Sequence, residues 1–326
     1  MNKQLLKKHR WHCAHPQGGL ALITVMLVVA VVASISVFLS LGQQIWLRQS
    51  GNIYDRSQAE AVRQGAVDFA AIVLELDANN NKTDHLQEIW ASQLPPFAVE
   101  QGEVAISVED AQGRFNLNNL INKGVPSTHD IGVYRRLLAY HQIDTVLVDT
   151  LLDWMDADQR VRPGGAEDNE YLSRPVPYLA SNQAITDLEE LRFIKGYTPE
   201  IISSLRNVVV VLPAHRPINV NTAVPSVLGA LYSSMSLSDA EDLAKTIRKD
   251  PLNNIADLAK KVSGHAPPKV TIDIKSSYFL VHIEARFGRS HHRSESLVYR
   301  PPSSHASKII WHGRPPINVA ATDTNE

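Results

Sequence analysis

One stretch of the chain gathers enough acid to do chemistry. Asp153-Trp154-Met155-Asp156-Ala157-Asp158 is followed by Pro163-Gly164-Gly165-Ala166-Glu167-Asp168, which puts five carboxylates on one glycine-containing loop. Hard divalent cations, calcium above all, take about six to eight oxygens, and flexible acidic loops supply them. Counted from Asp156, Asp158 stands third and Glu167 twelfth, as in an EF-hand. Arg160 and Val161 occupy the places where a further oxygen ligand and a glycine belong, so this is not an EF-hand. Two readings remain: an irregular calcium loop, or a solvated acidic turn in which Asp158 or Asp168 caps the next helix. Spacing alone does not separate them. A catalytic metal is disfavoured, because no histidine lies nearby in the sequence and no nucleophile sits beside the carboxylates. His282, His291 and His292 lack a paired acid or ligand spacing and read as surface residues. Trp90 and Trp154 read as core or interface aromatics.

Helical segments must position this loop. Ile143, Val146, Leu147, Leu151 and Leu152 share one helix face before it, and Leu188, Leu191 and Ile194 follow it, ending near Val208–Val211. A second helical unit begins at Pro217 and runs through Leu243, Ile247, Ile255 and Leu258. On either side lie β signals. Val104–Val108 alternates, Asp110–Gly113 reads as a turn into Arg114–Leu117, and Ser277–Phe287 puts Phe279, Val281 and Ile283 on one face. Gly288–His292 reads as a turn and Ser296–Tyr299 as the returning strand. Joining both β regions in one sheet is the economical arrangement, since two separate hairpins would each be too small to stand alone. The proline-containing tail after Arg300 reads as disordered.

The N-terminal region is of another kind. Leu20–Leu41 is an uncharged apolar run of 22 residues, which as a helix spans roughly 33 Å against a bilayer core of about 30 Å. Lys3, Lys7, Lys8 and Arg10 precede it without any acid, so this end stays cytoplasmic and the rest of the chain lies outside. Val62, Ala66, Phe69, Ala70, Val73 and Leu76 recur at helical spacing, extending the helix to about Leu76, where Asp77–Asn81 breaks it. Three processing readings compete. These are a signal peptide cut near Ser40-Leu41-Gly42, an uncleaved anchor, and cleavage before the apolar run, after Gly19. The third fits best, because Gln17-Gly18-Gly19 followed by Leu20-Ala21-Leu22-Ile23-Thr24 resembles a type IV prepilin processing site, where a membrane peptidase cuts after the glycine and methylates the new amine. Most such subunits carry Glu at the fifth mature position; here it is Thr24.

Four stretches, in order, resemble the K-type minor pseudopilins of type II secretion systems. They are Gly19–Thr24, Gly113-Arg114-Phe115-Asn116-Leu117-Asn118-Asn119-Leu120, the acidic loop, and Ile218-Asn219-Val220-Asn221-Thr222-Ala223. The missing glutamate is itself a mark of that family. The resemblance implies an α+β, pilin-like fold, with a long N-terminal helix packed on a small antiparallel sheet and a large all-α insert of the SAM-like, helix-hairpin-helix-like kind. It implies a division into a removed basic leader (1–19), a transmembrane helix (20–41), a periplasmic stem continuation (42–76), a sheet domain (77–120 and 270–300), an insert in two units (121–212 and 213–269) and a flexible tail (301–326). It implies structural calcium on Asp156, Asp158, Glu167 and Asp168, with Asp153 after them, and processing between Gly19 and Leu20. It also implies a non-enzymatic tip subunit of the inner membrane. Its partners would be the I and J minor pseudopilins, the major pseudopilin, the prepilin peptidase and the inner-membrane secretion platform.

The rival reading is a membrane-anchored DNA-uptake receptor, because Asn219–Ala223 and the helices after it also resemble helix-hairpin-helix modules. Such modules hold a phosphate on the backbone N–H groups of a Gly-x-Gly hairpin. Ser233–Ser238 has no glycine there, and in the first unit Pro199 removes an amide close to Gly196. Lys245, Arg248 and Lys249 share their helix with Asp239, Glu241 and Asp242, and the chain's net charge of −2 gives no broad basic surface. Nucleic acid is therefore not expected as a partner. Cys13, the single cysteine, lies in the basic leader, so the body can form no disulfide.

Overall fold

A computed structural model describes residues 18–100, 102–262, 265, 268–287, 290–302 and 306–313. The expected leader therefore lies outside the described residues up to position 17, with Cys13, as does the tail beyond 313. The chain divides into two compact units, residues 1–58 and 59–326.

Helix α1 spans Gly18–Asn80. In the first unit its apolar residues face outward, with Leu20, Val28, Phe38 and Leu41 all exposed, as a lipid-facing helix requires. It is the one described helix long and apolar enough to cross a membrane. Its far end lies one turn beyond the expected Leu76. The asparagines responsible for the expected break instead extend the helix: Asn80 Nδ2 donates to the Leu76 carbonyl at 2.9 Å, and Asn81 Nδ2 to Asp77 Oδ1 at 2.7 Å. The buried face of α1 in the second unit is Ala59, Ala66, Val67, Ala70 and Leu74. Phe69 and Leu76, expected on that face, are exposed.

Strands β1 (Phe97–Val99) and β2 (Gly102–Asp110) lead into the short strand β3 (Phe115–Asn116). The insert follows, with the two-residue strands β4 (Ile121–Asn122) and β5 (Val125–Pro126), then α2 (Thr128–Tyr140), α3 (Leu147–Met155), α4 (Asp168–Leu172) and α5 (Pro199–Leu205). It continues through β6 (Val209–Val210), β7 (Ile218–Asn219), α6 (Pro225–Ala230), α7 (Leu237–Lys249), α8 (Leu258–Lys261) and β8 (Ile272–Asp273). The chain then returns as β9 (Tyr278–Phe287), β10 (Ser290–Tyr299) and β11 (Lys308–Gly313).

The two β regions do form one sheet. It has five antiparallel strands in the order β1-β2-β9-β10-β11, with Val104 opposite Ala285 and Val108 opposite Val281 across its centre. The strand period of two sorts β9 cleanly. Phe279, Val281, Ile283, Ala285 and Phe287 pack toward α1 and Trp90, while Tyr278 and Leu280 pack on the other side with Ala111, Leu212 and Leu297. Each fully buried side chain of this size contributes about 1.5–3 kcal/mol. The flexible tail is corrected at β11, which pairs Trp311 with Leu297 and Lys308 with Tyr299. The expected turn at Gly288–His292 is shorter than that, since His291 and His292 already pair with Arg286 and Ala285.

The insert is mainly helical, as expected, but its two sequence units share one apolar core running from Phe115 to Val262. Gly229 shows how closely the units pack: a Cβ there would meet the Ala240 Cβ at 2.7 Å and the Tyr140 hydroxyl at 3.2 Å. Tyr140 OH donates to the Met235 carbonyl and Arg136 Nε to the Ala230 carbonyl, tying α2 across to the second unit.

Candidate metal centre

Helix α3 carries Asp153 and Asp156 at its C-terminal end, and no basic residue lies in its last turn. A helix C-terminus disfavours negative charge, so these two carboxylates need a cation from elsewhere. Arg162 supplies one. Its Nη1 sits 2.6 Å from Asp153 Oδ1 and 2.5 Å from Asp156 Oδ2, and its backbone N–H donates to Asp153 Oδ2 at 3.1 Å. Gly165 lets the loop fold down this far, because a Cβ there would lie 1.8 Å from Asp153 Oδ2. Gly164 adopts φ +88°, the left-handed conformation that L side chains resist.

Glu167 precedes α4, buried to 3% exposure. Both of its carboxylate oxygens, and Asp156 Oδ1, are buried with no hydrogen-bond partner among the described residues. Burial, reinforced by Asp153, Asp156, Asp168 and Asp158, pushes the Glu167 carboxyl up to about 7. Burial also raises Asp153, against the opposing pull of Arg162. Asp158 is exposed, with Oδ1 accepting from the Arg160 N–H, and Asp168 Oδ1 accepts from the Ala180 N–H at 2.9 Å. Neither caps a helix. The structure thus buries Asp153, Asp156 and Glu167 and leaves Asp158 and Asp168 at the margin, without any three of the five placing ligand atoms within 4.8 Å of one another. Asp156 also lines a cleft of about 640 Å³ with Asn118, Asn182 and His215, and Asn182 Oδ1 is another buried acceptor without a partner among the described residues.

This donor set fits a hard cation. Three orphaned carboxylate oxygens beside an already anionic helix end are costly without positive charge, and calcium binds such oxygens in irregular geometry. The surrounding shell is firm. Trp154 is buried, donates Nε1 to Glu190 Oε1 at 2.9 Å and stacks edge-on to Tyr171 at 5.1 Å, consistent with the core role read from sequence.

A second acidic group escaped the sequence reading. Asp77, Asp84 and Glu88 place ligand atoms within 4.8 Å of one another, the one such set of three among the described residues. Arg300 closes it. Nη2 donates to Asp84 Oδ1 at 2.5 Å and Oδ2 at 2.6 Å, Nη1 lies 3.3 Å from Asp77 Oδ2, and the guanidinium rests 4.6 Å over the Phe279 ring. Glu88 Oε2 accepts from Trp90 Nε1 at 2.6 Å, and burial pushes its carboxyl up to about 7. Asp110 belongs to the same junction, with Oδ2 accepting from Asn219, Thr222 and Ser276. Nothing local marks Arg300 as buried; the one hint is that it stands between the end of a strand and two prolines. His291 is exposed, as the surface reading expects, and His282 half-buried, but each has an acid partner that the sequence did not show, His282 3.5 Å from Glu109 and His291 2.5 Å from Glu284.

The asparagine-rich motifs do more than complete turns. Asn118 Nδ2 donates to the carbonyls of Ile185 and Leu212 while its Oδ1 accepts from the Ile185 N–H. Asn119 holds Arg216 in the same two-way manner, and Asn221 holds Leu252.

Membrane-segment geometry completes the picture. Gly19 lies in the first turn of α1, and the uncharged Thr24 donates its Oγ1 to the Ala21 carbonyl at 2.9 Å. Residues 113–214 and 218–275 match family models described as type II secretion system (T2SS), protein K. A type II secretion system protein K from Pseudomonas aeruginosa is 35% identical over 286 residues, 83% of this chain and 85% of that one. The chain belongs to the type II secretion system protein K family. It is a minor pseudopilin of that system, and its apolar helix fits an inner-membrane anchor. The protein K of Aeromonas hydrophila is 30% identical over 87% of this chain and 93% of its own. Among solved structures, the GspK-GspI-GspJ complex of the enterotoxigenic Escherichia coli type 2 secretion system contains a chain that aligns at TM-score 0.66 and 25% identity. The alignment covers 81% of this chain and 98% of that one. Protein K family membership therefore agrees with the long-helix, small-sheet and helical-insert architecture described above.

Proposed function

We propose that this chain is the tip subunit of a type II secretion pseudopilus, processed after Gly19 by a prepilin peptidase that methylates the freed Leu20 amine. The α1 stem stays in the inner membrane, held by the secretion platform, with the bulk of the chain in the periplasm. I- and J-type minor pseudopilins pack beside it, the kind of partnership named for the Escherichia coli complex. Major pseudopilins add from below and neutralise the Leu20 amine with their own glutamates. The reading rests above all on Thr24. Threonine has no carboxylate to offer a terminal amine above, its hydroxyl is spent on its own helix, and a bulky insert favours the end position. The role is structural and initiates or caps the fibre for export across the outer membrane.

Calcium belongs to the same reading. Asp153, Asp156 and Glu167 would hold it, with Asp158 and Asp168 as the nearby carboxylates that complete the shell, and it would supply the positive charge that stiffens the loop. The test is the N-terminal residue and intact mass of protein recovered from its native membranes. N-methylated Leu20 is expected; a start at Met1 or Gln43 would contradict prepilin-type processing.

A further inference from the structure

The guanidinium of Arg162 stands in an unusual place. A single nitrogen, Nη1, bonds oxygens of two different aspartates at once, as a calcium ion shared by two carboxylates does. A point that close to both carboxylates is where a cation shared by them would sit. Arg162 does not satisfy the whole cluster, however. Glu167 Oε1 and Oε2 and Asp156 Oδ1 stay buried without partners among the described residues. The arginine brings one positive charge to a loop with five carboxylates, so the cluster remains strongly anionic while it is in place. Nor is the side chain locked in. It keeps 24% of its side-chain surface exposed, against 0% for Asp153, so it can swing to water without unpacking a core. The loop would keep its course when it does, because the Arg162 backbone N–H holds Asp153 Oδ2 and the Gly165 N–H holds the Arg162 carbonyl at 2.8 Å.

We infer that Arg162 is a built-in competitor for the calcium position, seated between Asp153 and Asp156 in the metal-free chain and expelled to solvent when the ion enters. The inference rests on the calcium reading above and adds an exchange to it. Metal-free protein keeps an ordered loop because the arginine neutralises the end of α3. Binding must displace that ion pair, which weakens apparent affinity and sets it by a residue that is not itself a ligand. A loop of this kind responds to calcium by trading one cation for another instead of by folding.

The test uses the full chain in detergent, with calcium chloride titrated calorimetrically into wild type, Arg162→Gln and Arg160→Gln. Arg160 is exposed and carries the same charge two residues away, so it reports the purely long-range effect. Losing a charge-assisted pair should tighten calcium binding about tenfold in Arg162→Gln, with a lower midpoint for unfolding in chelator, while Arg160→Gln stays near wild type. Equal affinity in wild type and Arg162→Gln would overturn the exchange and leave the calcium site standing. A flat titration in all three would overturn the site as well. A second measurement needs no variant. The rate at which an arginine-specific dicarbonyl labels Arg162, read by mass spectrometry of wild type, should rise severalfold with calcium as the guanidinium is released. An unchanged or reduced rate would overturn the exchange even if the substituted protein failed to fold.

Discussion

Two buried clusters of carboxylates around a guanidinium stand out among the described residues, and they are built to opposite ends. At the junction of stem and sheet, Arg300 engages both oxygens of Asp84, approaches Asp77 and is sealed against Phe279 at 3% side-chain exposure. Ser276 donates its backbone N–H to Asp84 Oδ2 at 2.6 Å, and Trp90 satisfies Glu88. In the acidic loop, Arg162 reaches two aspartates through one nitrogen and leaves three oxygens unserved. A network with its acceptors filled holds a structure together, whereas a half-filled one leaves affinity for something else. The junction is thus the rivet between α1, the sheet and the insert, and the loop is the proposed binding site. Proximity alone would have ranked them the other way round, since the three junction carboxylates are the more tightly gathered.

Several substitutions would break or sharpen this contrast. The largest effect is expected at the junction. Arg300→Met removes a buried partner of Asp84 and Asp77, and should cost on the order of 3–5 kcal/mol in denaturant unfolding of the full chain, with or without calcium. A comparable change in the loop should behave differently. Glu167→Gln removes a buried charge that has no partner, so the chelator-treated protein should hold or gain on the order of 1 kcal/mol. The same variant should lose most of the thermal shift that calcium gives wild type. Next comes the clamp inside the insert. Asn118→Ala strands the Ile185 and Leu212 backbone groups and should cost about 1–3 kcal/mol by the same unfolding assay.

The smallest effect is a pH slope. Glu88 and Glu167 are both pushed to about 7 by burial from an ordinary 4.5. Between those values the folded chain holds protons that the unfolded chain has released, so stability should fall as pH rises through this window. Metal-free protein should therefore unfold at a higher temperature near about pH 5.5 than near about pH 7.5. Glu167→Gln should flatten the slope only in part, because Glu88 remains; a slope of the opposite sign would refute the burial argument for both.

Much of this was legible in the sequence because its signals are periodic or local. Odd-numbered Phe279, Val281 and Ile283 announced the buried face of β9, and the uncharged run from Leu20 announced the membrane helix. The acidic loop stood out because its carboxylates are close in sequence. Its cation did not stand out, since Arg162 is one of several arginines nearby and only folding aims it at both Asp153 and Asp156. Arg300 was harder still, because its acidic partners lie more than 200 residues away along the chain. The roles of Asn118 and Asn119 were visible in outline. Their residue type called for backbone partners, but the partners proved to be distant segments and not the local turn. Strand β11 was hidden because prolines at 301 and 302 and at 315 and 316 flank it and dominate the composition of the tail.

The contrast between the two clusters is tested most directly by equilibrium calcium titration of the full chain as wild type, Glu167→Gln and Glu88→Gln. A calcium site in the loop predicts that wild type and Glu88→Gln bind alike, and that Glu167→Gln binds at least about tenfold more weakly. Weakened binding in Glu88→Gln with Glu167→Gln unchanged would place the ion at the junction and contradict the account.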